Sequence, residues 1–226
     1  MSNPVEICNV ALGRINKPRI NSLNDQTVEA LTCRTFYDFC RQACLSDAPW
    51  NFASKFLALS LLTETNTGWL YVYSYPGDCA TAREIINPAA DQSSYSDIND
   101  QVPFEVGLSV TGNFNIIMTN QIDAVLKYTA DISNAGIFSA SFSDALAWRL
   151  AAELCLPLRL DLQVAQAVRQ AYSISVANAR TNSANEGRKA PTVRNSIVDS
   201  RDMWSTPYGY ATANPSGGIG GGNYPL

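Results

Sequence analysis

Apolar residues recur at helical spacing at both ends of the first 186 residues and lose that spacing in between. Asn3-Pro4 reads as a helix start, with Asn3 at the N-cap and Pro4 at the first helical position. Ile7, Cys8, Ala11, Leu12 and Ile15 then form a stripe, which Lys17-Pro18 ends. Asp25 or Thr27 can cap a second helix running to about Ser46. Its apolar face carries Ala30, Cys33, Phe36, Tyr37, Cys40 and Cys44; Arg34, Asp38 and Arg41 are expected on the wetter side. Asp47-Ala48-Pro49-Trp50 stops it. Helical spacing returns at about Ser141, where Phe142, Ala145, Leu146, Ala152 and Cys155 give a buried face up to Leu156-Pro157-Leu158. A fourth helix is expected from about Asp161 to Ala184, lined by Val164, Val168, Ala171, Tyr172 and Ser175.

Between these helices, over about 51–131, β-formers take over. Strands are expected at Phe56–Leu62, Trp69–Tyr73, Ala82–Ile86, Phe104–Val110, Phe114–Met118 and Ala124–Tyr128. Thr111-Gly112-Asn113 reads as the turn of a hairpin. Trp69, Tyr71 and Tyr73 alternate, which predicts one aromatic strand face. Trp50 and Phe52 are expected to lock the β portion onto the helices.

From Gly187 onward the core-building pattern stops. The segment holds Pro191, Pro207, Pro215, Pro225 and the glycine run 217–222, yet it carries Trp204, Tyr208, Tyr210 and Tyr224. Aromatic anchors on such a string suggest an arm that orders on a partner. The layout is therefore α+β: a four-helix bundle-like domain (1–50 and 132–186), an inserted, mostly antiparallel β-sheet or barrel domain (51–131), and an extended C-terminal arm (187–226).

Composition narrows the chemistry. The chain has no histidine, which removes the commonest general base and His-ligated metal sites. Charged residues are only 16%, while apolar residues reach 46%; that balance suits a protein that hides surface against partners. Residues 64–131 are acidic, net −7, and residues 187–226 are basic, net +2. An acidic face repels phosphates, so nucleic-acid binding there is disfavoured. Cys8, Cys33, Cys40, Cys44, Cys79 and Cys155 form no C-x-x-C pair and read as buried thiols of a reducing compartment. The N-terminus lacks a signal-peptide pattern, and no apolar run approaches the roughly 18 residues needed to span a bilayer.

Two carboxylates could hydrolyse a glycoside without histidine, and Asp78, Glu84, Asp97, Asp100 and Glu105 are available. Nothing in their spacing selects a pair. Asp97, Asn99 and Asp100 only loosely echo a calcium loop, and the glycine run lacks the Gly-Lys-Ser/Thr of a phosphate loop. No catalytic residue, cofactor or metal ligand is assigned.

Several segments in order do carry a resemblance. They are Ile7–Ile15, Ile20–Leu23, Cys33–Asp38, Pro49–Ala53, Trp69–Cys79, Leu126–Thr129 and Phe142–Ala151. Together they resemble the tail tubular protein A family of short-tailed bacteriophages, over about residues 1–180. The resemblance implies a head-to-tail adaptor: a homo-oligomeric ring, usually of twelve copies, between portal protein and tail nozzle protein. DNA would pass through its lumen without sequence-specific binding. It also implies a virion location, β domains facing the nozzle and C-terminal arms gripping the portal. Composition adds Arg188, Arg194, Arg201, Trp204, Tyr208 and Tyr210 as the expected portal contacts. The competing expectations are a carboxylate-based cell-wall hydrolase and another nozzle or tail completion protein.

Overall fold

The computed structural model describes residues 3–64, 68–86 and 101–186. Asn3 caps α1 (Pro4–Arg14): its side chain accepts from the Val5 amide at 2.9 Å, and Glu6 accepts from the Asn3 amide at 3.1 Å. Thr27, rather than Asp25, caps α2 (Val28–Asp47) by accepting from the Ala30 amide at 3.2 Å. Asp25 closes the connector instead, accepting from the amides of Asn21 and Ser22. Ser139 caps α3 (Ala140–Leu154), and α4 (Leu162–Asn185) follows after a short turn.

α3 packs against all three other helices. Its buried positions explain why. Phe142, Leu146, Leu150 and Leu154 supply bulk, and Ala145, Ala147, Ala151 and Ala152 let neighbouring backbones come close. Cys8, Cys33, Cys40, Cys44 and Cys155 are buried among these side chains, and Cys79 is half-buried; all six are free thiols. α4 departs from its expected lining. Ala165, Val168, Val176 and Ala179 are buried, whereas Val164 is exposed and Ser175 turns out to bond Asp144 at 2.6 Å.

The middle of the chain forms two three-stranded antiparallel sheets among the described residues, so the described fold is α+β. One sheet orders β1 (Ser54–Ala58), β6 (Val125–Ala130) and β3 (Cys79–Ile86), with β6 central. The other orders β2 (Tyr71–Ser74), β5 (Asn115–Thr119) and β4 (Phe104–Leu108), with β5 central. Tyr73 and Ile117 of the second sheet pack with Ile85, Leu126 and Tyr128 of the first, which makes one shared apolar layer.

The expected strand Phe56–Leu62 is divided between the sheets. β1 ends at Ala58, and residues 60–62 cross over to line β2: Ser74 N donates to Ser60 O at 2.9 Å and Leu62 N to Val72 O at 2.8 Å. The expected aromatic face is also divided. Tyr71 and Tyr73 stand together, rings 6.4 Å apart, while Trp69 precedes the strand and packs with Val72, Ile116 and Met118. The β4–β5 hairpin closes as expected, with Gly112 at φ 74° and its amide donating to Ser109 O at 2.8 Å.

The two connections between helices and sheets meet over one aromatic cluster. Trp50 and Phe52 lead into β1, Phe138 leads back to α3, and all three pack around Phe142 at centroid distances of 5.0, 4.9 and 4.9 Å. Arg41 is not on a wet face, as its helical position suggested, but is only 4% exposed. It pairs with Asp131 at the end of β6 and donates to Ile132 O at 2.8 Å. The described residues fall within one compact unit.

Candidate functional site

The acidic portion was the sequence's candidate for chemistry. Three of the five candidate carboxylates, Asp78, Glu84 and Glu105, are described, and each has its own partner. Asp78 accepts from Lys55 Nζ at 2.7 Å and from the Tyr128 hydroxyl at 2.9 Å. The Lys55 ammonium above all, with the Tyr128 hydroxyl, holds the Asp78 carboxyl below the usual carboxylate range. Glu84 pairs with Lys127 at 3.6 Å, and Glu105 accepts from Trp69 Nε1 at 3.1 Å. Asp97, Asn99 and Asp100 lie outside the described residues. Among the described residues no cluster of three or more Cys, Asp or Glu side chains is disposed to hold a metal ion.

A knot of polar side chains gathers at the C-terminal end of α2. Asp47 ends the helix where a negative charge is unfavourable. Arg149 lies 3.6 Å from its carboxylate, the Tyr172 hydroxyl donates to it, and Arg180 donates to its carbonyl at 2.7 Å. Burial, first of all, pushes the Tyr172 hydroxyl and the Cys44 thiol up, the latter to about 12. Both shifts favour the neutral forms of these groups.

The described surface also carries exposed apolar side chains. On α2, Val28, Leu31 and Phe39 are exposed, with Phe39 58% exposed. On the other flank of α3, a groove of about 590 Å³ runs between α3 and α4 and is lined by Asp144, Trp148, Ala171, Ile174, Asn178 and Asn182. Arg14 from α1 lies over the Trp148 ring at 4.0 Å and pairs with Asp144, so the floor of the groove is fixed. At the far end of the molecule's second sheet, Val106, Leu108, Val110 and Phe114 are exposed on the β4–β5 hairpin.

The expected portal contacts Arg188, Arg194, Arg201, Trp204, Tyr208 and Tyr210 lie outside the described residues. The α2 stripe escaped the sequence reading. Its signal was present: Val28, Leu31, Thr35 and Phe39 repeat at helical intervals, but the stronger Cys-Tyr stripe opposite drew the core assignment. No protein-family model matches the chain, and no curated protein is significantly similar to it. Among the described residues no helix is long and apolar enough to cross a membrane.

Proposed function

We propose that this chain is a structural virion protein: a head-to-tail adaptor whose copies form a ring joining a portal protein to a tail nozzle protein, with DNA passing through the lumen. The observation that carries the reading is apolar exposure. Eighteen large apolar side chains stand exposed among the described residues; several gather into a helix stripe and a hairpin end, and Ile174 lines the interhelical groove. Contiguous apolar surface of this kind belongs to proteins that bury it against partners. The resemblance of residues 1–180 to the tail tubular protein A family supplies the kind of assembly. Two helices, strands, then two helices is the order that resemblance implies. In this reading the helices act as a bundle-like ring-forming part, the two sheets as a barrel-like part toward the nozzle, and residues 187–226 as the arm on the portal.

Electron microscopy of particles containing the chain tests the reading. Rings at the portal–tail junction are expected; particles that lack the chain overturn it. A chain ending at Glu186 tests the arm: it folds but fails to bind the portal, and unimpaired portal binding removes that role from residues 187–226.

A further inference from the structure

β4 is bonded along one side and bare along the other. In its pairing with β5, Glu105 stands opposite Met118 and Gly107 opposite Ile116. One step along the same register, Ser109 N donates to Phe114 O at 2.9 Å. Backbone groups of an antiparallel pair alternate sides. Glu105, Gly107 and Ser109 therefore bond β5, while Phe104, Val106 and Leu108 turn their N–H and C=O groups away from it. The bonds at the two ends agree. Pro103 O, on the β5 side, accepts from Thr119 Oγ1 at 2.9 Å, and Val110 N, next in the outward row, donates to the Glu64 carboxylate at 3.1 Å. Between them the outward groups of Phe104, Val106 and Leu108 have no hydrogen-bond partner among the described residues. Val102 bridges Ile85 of β3, and the described pairing with β3 goes no further along the row.

A bare strand edge is ordinarily guarded by lysine, proline or a bulge. β4 has none of these: its residues are Phe104, Glu105, Val106, Gly107 and Leu108, and its register with β5 is unbroken. The other outer strands differ. β1 carries Lys55 and has Lys127 over the Phe56 ring at 5.9 Å, and β2 is lined by residues 60–62. The side chains of β4 are sorted by face. Val106 and Leu108 are exposed on one face, and Glu105 is exposed on the other. Glu105 and Glu64 each hold a neutral donor, Trp69 Nε1 and Val110 N, so neither charge is offset by its printed partner. The described basic residues of 64–131 are engaged elsewhere: Arg83 with the carbonyls that end α2, and Lys127 with Glu84 at 3.6 Å. What completes such a row is an extended main chain, because its own N–H and C=O groups recur every second residue, as those of Phe104, Val106 and Leu108 do. The charge beside the row favours a basic one.

We propose that the outer edge of β4 is a docking site for an extended strand of another protein, one that alternates apolar residues beside Val106 and Leu108 with basic residues beside Glu105. The added strand makes the β2–β5–β4 sheet four-stranded. Its main chain supplies the hydrogen bonds, and its alternation fits the two faces of β4. The proposal stands on the strand edge alone and does not need copies of the chain to form a ring.

The test is an NMR titration of the full chain with a blocked-end peptide that alternates lysine and valine. The amides of Phe104, Val106 and Leu108 are expected to shift in a saturable way below millimolar peptide and to gain protection from hydrogen exchange. Glu105 and Gly107, already bonded to β5, should gain little protection. Val106→Pro removes one outward N–H and keeps the β5 bonds, a change an edge strand tolerates. It should weaken binding about tenfold, the scale of a lost hydrogen bond. Circular dichroism checks its fold, and a peptide N-methylated on the pairing side makes the same test without any change to the protein. Glu105→Gln keeps an acceptor for Trp69 but loses the charge, and should weaken binding about threefold. A peptide with glutamate in place of lysine should not bind. The absence of saturable shifts at millimolar peptide overturns the proposal. So does binding that Val106→Pro or N-methylation leaves unchanged, or equal binding of the glutamate peptide. Protection of the Phe104, Val106 and Leu108 amides that rises with the concentration of the chain alone overturns it in favour of a second copy on this edge.

Discussion

Arg83 of β3 caps α2: its Nη2 donates to the Ala48 carbonyl at 2.8 Å and to the Ser46 carbonyl at 2.9 Å, while Nε donates to Thr129 Oγ1 at 3.0 Å. A helix end leaves carbonyls without intrahelical partners and carries partial negative charge. A strand arginine answers both needs and ties the sheet to the helix in doing so. Arg83→Ala is expected to lower the unfolding free energy by about 2 kcal/mol, the scale of charge-assisted hydrogen bonds lost from a half-buried site. Arg83→Lys should recover less than half, because an ammonium cannot reach carbonyls and hydroxyl with a planar fork. Urea denaturation of the three proteins measures the difference, and equal midpoints for parent and Arg83→Ala would remove the capping role.

Asp131 anchors the return path from β6 to the helices. It takes Arg41 on one carboxylate oxygen and Gln42 Nε2 on the other at 3.0 Å, and its amide donates to Asp78 O at 2.7 Å. Asp131→Ala leaves a nearly buried guanidinium with only Asp38 and the Ile132 carbonyl. The expected loss is about 2 kcal/mol, the scale of losing one charge-assisted hydrogen bond to a nearly buried guanidinium that keeps its other partners. The double variant Asp131→Ala with Arg41→Met is expected to be more stable than Asp131→Ala alone, since it removes a buried charge that has lost its main partner. Denaturant midpoints decide this, and a double variant less stable than either single one would contradict it.

These two arginines also show what the sequence made legible. Helix existence, the Asn3 cap, the Gly112 hairpin and the helix–sheet–helix order follow from local chemistry: capping atoms, proline, a positive φ and hydrophobic period. Arg41 and Arg83 act across 90 and 35 to 37 residues of chain, and a local pattern holds no information on a partner that far away. The split of Phe56–Leu62 between two sheets is hidden for the same reason, because both halves look like one β-forming run. The α2 stripe is a different case. It was present as a period but competed with a second, more apolar stripe on the same helix.

The Asp78 carboxyl gives stability a dependence on pH. Lys55 and then Tyr128 favour its charged form in the folded state, so its folded pKa lies below that of the unfolded chain. The contribution is complete above roughly pH 4, the ordinary carboxylate range, and is lost as pH falls through the lowered value. Lys55 is 54% exposed and Asp78 44%, so salt and solvent screen the pair and its effect on stability is small. The direct readout is the carboxyl carbon of Asp78 followed by NMR from pH 6 to pH 2. Its midpoint is expected to rise in Lys55→Met, and to rise again when Tyr128→Phe is added. An unchanged midpoint in Lys55→Met would show that the ion pair does not form in solution.

Trp50 is where helices and sheets are joined, and it is fully buried. Its Nε1 donates to the Cys44 carbonyl at 2.8 Å, one of the last-turn carbonyls of α2 that the helix itself cannot satisfy. Its ring meets Phe142 edge-on at 5.0 Å and lies 6.3 Å from Phe52. Two losses are therefore separable. Trp50→Phe keeps most of the aromatic packing but orphans the Cys44 carbonyl, and is expected to cost about 2 kcal/mol. Trp50→Ala also opens a cavity beside Phe142 and Phe52, and is expected to cost about 4 kcal/mol. Because the aromatic cluster holds both connections to the β portion, this damage should reach the sheets. Hydrogen exchange of the β1 and β6 amides is expected to speed up in Trp50→Ala along with that of α3. Sheet amides that keep their parent protection while α3 loses its own would mean that the two parts unfold independently and that Trp50 serves the helices alone.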